Sequence, residues 1–376
     1  MKIVYIYEGL PAYRKDFFCL LNKRIQQKGD SLEVLYGKKE KNESLQINNE
    51  LGFNTKQFTI KDIYNKGAIR VISFPKMFRY FKKEKPDVFV LQFHVATLTY
   101  WRLYLYSRFH DIPYITWDCN YLKPELGGAS VKIRKYLTDK VYKGAKVCLT
   151  YGTKFRDELL GIGRKPEDVI VAQNTINIER IIENRAASCG NREYNHPLRV
   201  LYVGVVNSRK NVEDAIKAVA SLIKEGKDIY FNVVGGGDSF ESCRKLITEL
   251  EVDDNIVMHG PKHGKEVQEL FEQSDLFLMP GTGGLAINEA MAYSLPIIST
   301  EGDGTVIDLI DGNGYLLMNF GDVDEIKATI LKFMNLSQEE KQKMSKRSEE
   351  IVTQKALLEN MVERHIEAIE KCIGKA

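Results

Sequence analysis

Residues Leu276–Thr300 read LFLMPGTGGLAINEAMAYSLPIIST. An apolar run, Leu276–Met279, ends in proline and a turn containing Gly281, Gly283 and Gly284. A helical pattern starts at about Leu285, and Leu295-Pro296 leads into a second apolar run. Strand, tight turn, helix and strand is the repeating unit of a parallel α/β sheet. Glycines let backbone amides approach a ligand closely, and the unpaired amides at a helix start attract an anion such as a diphosphate. Gly283, Gly284 and Leu285 are therefore the candidates to hold one. Glu289, one turn into the helix, is placed to accept hydrogen bonds from a ribose diol. A tight βα turn followed by a solvated glutamate has the same local sequence, so the turn alone leaves both readings open.

The same alternation extends outward in both directions. Upstream of the turn, strand candidates are Arg199–Val203, Tyr230–Val234 and Asn255–Met258, and downstream Pro296–Ser299. An earlier series runs through Ile3–Tyr7, Leu32–Tyr36, Val88–Gln92, Tyr114–Trp117, Val147–Tyr151 and Val169–Ala172. Between the two series, Ser188–Pro197 (SCGNREYNHP) is polar, turn-rich and aperiodic, and reads as a linker. The expectation is an α/β protein with two doubly wound, Rossmann-like domains, residues 1–187 and 198–350, followed by a helical segment over 351–376. Ligands of such sheets bind beyond the carboxyl ends of the strands. Two such domains facing one another make the cleft between them the natural site.

A second stretch, Leu201–Leu222 (LYVGVVNSRKNVEDAIKAVASL), places Arg209 and Lys210 between a strand glycine and a helix. Acids are the usual residues at a helix start, so a basic pair there points to an anionic ligand. Together these segments resemble the donor-binding half of the family 4 retaining glycosyltransferases, enzymes of GT-B fold. Glu289-Ala290-Met291-Ala292 and Pro296-Ile297-Ile298 match that family's signature, and Val233–Gly237 and Val169–Asn177 match its flanking segments. The resemblance implies a nucleotide-sugar donor, with Lys210 and Arg209 neutralising the diphosphate and Glu289 on the ribose. It implies transfer with retention, without metal or cofactor, and a last helix that returns to the first domain. The family has a further glutamate that touches the donor sugar. It would fall on Gly281, and an arginine often found after the strand glycine is Val205 here.

In the first half, Glu8–Arg14 follows the first strand, where the family places a loop over its substrates. Gly9 permits close approach, and Tyr13 and Arg14 are candidates to engage an acceptor. Tyr13-Arg14 with Phe17-Phe18 resembles a subgroup that builds bacterial surface polysaccharides, so the expected acceptor is a glycan or a lipid-linked sugar. Two strand ends, Gln92–His94 and Thr116–Asn120, carry the catalytic candidates Asp118 and His94. A helix-capping aspartate and a core histidine are the plain alternatives for these two. A nucleotide-sugar epimerase, or a non-catalytic sugar-binding protein, would share the scaffold.

Bulk properties bound the partners. The 376 residues carry a net charge of +3, but residues 1–190 hold 33 Lys and Arg against 20 Asp and Glu, and the rest 21 against 31. The basic half contains Ala68–Asp87, in which Met77, Phe78, Tyr80 and Phe81 stand among Lys76, Arg79, Lys82, Lys83 and Lys85. That composition suits an anionic membrane surface; no nucleic-acid module is visible. No apolar run approaches the roughly 20 residues of a membrane span, and the first residues lack a signal peptide's pattern. The six cysteines are scattered and the six histidines form no ligand motif, so no metal is expected and a reduced, cytoplasmic setting is.

Overall fold

The computed structural model describes residues 1–38, 51–66, 69–119, 129–194 and 197–374. Ala68, Asn120 and the linker residues Asn195 and His196 lie outside the described residues. Two compact units divide the chain: Met1–Gln173 with Glu359–Ala376, and Asn174–Leu358.

The first unit contains β1 (Lys2–Tyr7), β2 (Ser31–Lys38), β3 (Asn54–Thr59), β4 (Lys61–Lys66), β5 (Ile69–Ser73), β6 (Val88–Leu91), β7 (Tyr114–Asp118), β8 (Val147–Thr150) and β9 (Val169–Val171). Seven of these form a parallel sheet in the order β3-β2-β1-β6-β7-β8-β9, and β4 and β5 pair as a separate antiparallel hairpin. The interior strands are apolar on both faces, as VFVL of β6 shows, because helices cover both sides. The connecting helices are α1 (Lys15–Gln27), α2 (Pro75–Glu84), α3 (Leu98–His110), α4 (Ala129–Gly144) and α5 (Thr153–Gly161). Sequence periodicity missed β3 and the hairpin. Only Phe58 is buried in NTKQFT, and every residue of KDIYNK is exposed, so neither carries an apolar run.

The second unit contains β10 (Leu198–Val203), β11 (Ile229–Val234), β12 (Ile256–Gly260), β13 (Leu276–Met279), β14 (Ile297–Thr300) and β15 (Gly314–Leu317). They form one parallel sheet in the order β12-β11-β10-β13-β14-β15. Its helices are α6 (Ile178–Asn184), α7 (Val212–Lys224), α8 (Phe240–Glu249), α9 (Lys265–Gln273), α10 (Leu285–Ala292), α11 (Val323–Met334) and α12 (Gln338–Lys355). In each sheet the strand order reverses once, beside β1 and beside β10. Such switch points are where doubly wound sheets open a crevice at the carboxyl ends of their strands.

The division falls earlier than the expected linker, at Gln173/Asn174. The reason is packing within the second unit. Ile178 is buried in its core, and Arg185 Nη1 donates to Ser294 Oγ at 2.7 Å. Arg192, itself buried, donates to the carbonyls of Phe271, Glu272 and Tyr293 at 3.1, 2.8 and 2.8 Å. A linker of polar appearance is thus a structural clamp. The last helix, α13 (Leu358–Cys372), belongs to the first unit from Glu359 onward. There His365 is fully buried, with Nδ1 2.8 Å from the Tyr5 hydroxyl.

Pro75 is the first residue of helix α2, in which Met77 and Phe81 are buried while Phe78 and Tyr80 pack partly inward. The aromatics therefore serve the core, and the outward face is cationic: Lys76, Arg79, Lys82, Lys83 and Lys85 are exposed.

Candidate functional site

The glycine-rich turn after β13 is locked to the start of α7. Thr282 N donates to Arg209 O at 3.1 Å, Lys210 Nζ donates to Thr282 O, and Thr300 Oγ1 donates to Gly281 O at 2.6 Å. A Cβ at Gly281 would lie 2.4 Å from Arg209 O and 2.5 Å from the Lys210 Cα. Glycine at 281 is thus required by the approach of two backbones. Arg209 is exposed and Lys210 half-buried. Burial first, and the neighbouring Arg209 second, lower the Lys210 ammonium below its ordinary range, with Asp303 opposing them. A lysine in that state gains by meeting an anion.

Helix α10 begins without a side-chain cap at Gly284. Among the described residues, the amides of Gly283, Gly284 and Leu285 have no protein acceptor, so they are available to a ligand. The loop after β14 closes the other side: a Cβ at Gly302 would lie 2.9 Å from Gly283 N. Asp303 in that loop accepts from Thr305 N at 3.1 Å and Thr305 Oγ1 at 2.5 Å. One turn along α10, burial pushes the Glu289 carboxyl up to about 7. Next to it, Asn288 Nδ2 donates to Asn174 O at 2.7 Å, tying α10 to the segment after β9. Sequence reading missed Asp303 and Asn288, since nothing local distinguishes either from a loop acid or a helix-face amide.

Gly235 and Gly237 have a packing role. A Cβ on Gly235 would meet Gly204 O at 1.8 Å, and one on Gly237 would meet Val206 O at 2.3 Å. Val205, where the family often has arginine, is exposed.

The first unit has its own polar cavity of about 310 Å³, at the carboxyl ends of β1, β6 and β7. Asp118 and His94 both line it, together with Glu8. Asp118 Oδ2 accepts from the Tyr142 hydroxyl at 2.9 Å and Oδ1 from Cys119 N at 2.7 Å. His94 is exposed, not a core histidine. Gly9 is exposed and nothing lies nearer its Cβ position than Gly37 O at 4.0 Å, so packing does not explain glycine there. Tyr13 is exposed, but Arg14 is 1% exposed. The Arg14 guanidinium lies 4.6 Å from the centre of the Trp117 ring and donates to the Tyr151 hydroxyl at 3.3 Å. As placed, it is a core residue, which corrects its reading as an acceptor contact. Among the described residues no group of three or more His, Cys, Asp or Glu could hold a metal, and no helix is long and apolar enough to cross a membrane.

Comparison with known proteins bears on the family and the fold. Residues 187–351 match the family model described as glycosyl transferases group 1. The amylovoran biosynthesis glycosyltransferase AmsK of Erwinia amylovora is 28% identical over 191 residues, 46% of each chain. The O-antigen biosynthesis glycosyltransferase WbnH of Escherichia coli is 27% identical over 214 residues, 55% of each. The chain spans about half the length of the curated relatives it matches. Among solved structures, a glycosyltransferase from Rickettsia africae aligns over 100% of this chain and 99% of its own, with TM-score 0.73 and 16% identity. Anabaena HepE, solved with UDP and glucose, aligns over 98% and 99%, with TM-score 0.72 and 15% identity. These likenesses identify the fold as GT-B.

Proposed function

We propose that this chain, whose residues 187–351 form a group 1 glycosyl transferase domain on a GT-B scaffold, transfers a sugar from a nucleotide diphosphate donor to an acceptor hydroxyl in surface-polysaccharide synthesis. The observation that carries the reading is the anion-ready turn, with free amides at Gly283–Leu285 beside the half-buried Lys210. As the bond between the anomeric carbon and the diphosphate oxygen breaks, negative charge grows on the leaving group. Lys210, Arg209 and the amides are placed to stabilise it. The acceptor oxygen forms the new bond to the anomeric carbon, and its proton passes to the departing diphosphate. Glu289 accepts from the ribose diol, and the two basic residues serve where other enzymes use a metal. Transfer with retention follows from the family resemblance.

The test is ligand binding. In a thermal-shift screen, at least one nucleoside diphosphate should stabilise the protein by mass action, in EDTA as well as in buffer. Lys210→Ala should weaken that nucleotide by about tenfold or more, the size of a lost charge-assisted hydrogen bond. Equal affinity of variant and wild type for every nucleotide would remove the assignment.

The acceptor side is proposed to work at an anionic membrane. The support is the outward cationic face of α2 and the exposed Leu105 and Phe109 on the neighbouring α3, 50% and 82% exposed. Each engaged lysine or arginine contributes about 1 kcal/mol near such a surface. Anionic vesicles should therefore carry the protein in a cofloatation assay at low salt, and release it at high salt. The triple change Lys82→Glu, Lys83→Glu, Lys85→Glu should prevent carriage; unaltered flotation of that variant would refute the attachment.

A further inference from the structure

Asp303 carries the wrong charge to hold a diphosphate, yet the fold fixes it beside the turn that would. Thr300 Oγ1, which donates to Gly281 O, also accepts from Gly302 N at 3.3 Å. Gly302 has φ 59°, in the left-handed region, and a Cβ on it would meet Gly283 N at 2.9 Å and Gly283 Cα at 3.1 Å. The next residue is thereby held one step from the amides of Gly283–Leu285. Asp303 is half-buried there, and its charge acts on the Lys210 ammonium. Its Oδ1 takes both bonds from Thr305, while its Oδ2 has no hydrogen bond or ion pair among the described residues. A carboxylate in that place opposes a diphosphate, so it calls for a ligand group that donates hydrogen bonds to it. The sugar, one ester bond beyond a phosphate held at the turn, brings hydroxyls to that position.

We propose that Asp303 is a specificity-determining residue, whose open oxygen accepts from hydroxyls of the donor sugar and turns away an anionic one. The donor is then the nucleotide of a neutral sugar, not of a uronic acid. This deepens the proposed function and rests on it. A uronate would set a second carboxylate against Asp303 in a half-buried site, where water screens the repulsion incompletely. With Oδ1 held by Thr305, the group is not at liberty to swing away. A neutral hexose or N-acetylhexosamine brings donors and no charge.

Calorimetric titration of the whole protein with UDP, GDP and dTDP identifies the base. Neutral sugar nucleotides of that base (UDP-glucose, UDP-N-acetylglucosamine, GDP-mannose or dTDP-glucose) are then compared with its uronates (UDP-glucuronate, GDP-mannuronate or dTDP-glucuronate). At least one neutral sugar nucleotide should bind wild type tenfold or more tighter than the uronate. Asp303→Asn keeps an acceptor for Thr305 and loses the charge. It should bind the parent diphosphate more tightly than wild type does. The ratio of its affinity for the neutral sugar nucleotide to that for the parent diphosphate should fall about tenfold, and its discrimination against the uronate by at least as much. Asp303→Ala, which also releases Thr305, should show the same two losses with a lower melting temperature. Wild-type preference for the uronate, or undiminished discrimination in Asp303→Asn, overturns the inference. Failure of all three diphosphates to bind wild type would instead overturn the donor-site reading beneath it.

Discussion

Gly281→Ala should displace the Arg209–Lys210 segment and cost the protein both stability and nucleotide binding. The added Cβ would sit 2.4 Å from Arg209 O and 2.5 Å from the Lys210 carbonyl carbon and Cα. These are backbone atoms, which cannot swing aside as a flexible side chain does. Relief requires the turn and the start of α7 to move apart, breaking the Thr282 N to Arg209 O bond and shifting Lys210 from Thr282. Overpacking of this kind costs about 1–3 kcal/mol, occasionally more. Gly281→Glu, which restores the carboxylate that the family resemblance expects, should do worse and regain no activity. The control for stability alone is Gly284→Ala, where nothing lies within 4 Å of the Cβ position and φ is 171°, an extended value open to any residue. Urea unfolding and calorimetric titration of a nucleoside diphosphate measure both effects. If Gly281→Ala matches wild type in both, the close approach is not what keeps glycine there.

Glu289→Gln should produce opposite changes in stability and affinity. Burial raises the Glu289 carboxyl to about 7 from the ordinary 4.5. Between those values the unfolded chain loses its proton while the folded chain keeps it, so the folded state loses stability as pH rises through that window. Glutamine carries no such penalty. The variant should equal wild type below pH 4.5, gain on it from pH 4.5 to 7, and be more stable by about 3 kcal/mol at pH 8. Nucleotide affinity should move the other way, since the amide is a poorer acceptor for a ribose diol than the carboxylate. A loss of about tenfold is expected. For the same reason wild-type affinity should fall as pH drops below 7, where Glu289 takes up its proton. Urea unfolding at pH 4.5, 6 and 8 and titrations at pH 6 and 8 check the pair. A variant less stable than wild type at pH 8 would mean that the carboxylate has a structural partner.

The turn after β13 and the start of α7, proposed here to hold the donor, were readable as a turn and a helix start because their information is local. Glycines, a helix start and two basic residues lie in two short segments, and turn chemistry and helix-end electrostatics act over a few residues. The apolar runs of the inner parallel strands were readable for a similar reason: burial on both faces leaves no polar alternation. Edge strand β3 and the exposed hairpin lacked that signature and escaped. What a side chain faces is a different kind of fact. The sequence placed Tyr13 and Arg14 together, yet only the packing of Trp117, Tyr151 and α13 decided that one is exposed and the other buried. It placed aromatics among lysines in α2, and the core beneath turned the two sets to opposite faces. Glu8, His94 and Asp118 come from three strand ends 24 to 110 residues apart in pairs, and only the strand order β1-β6-β7 brings them to one cavity. Periodicity and turn chemistry are set by neighbours in the chain, so sequence determines them; burial, charge environment and shared cavities are set by residues far apart in the chain, so only the tertiary structure decides them.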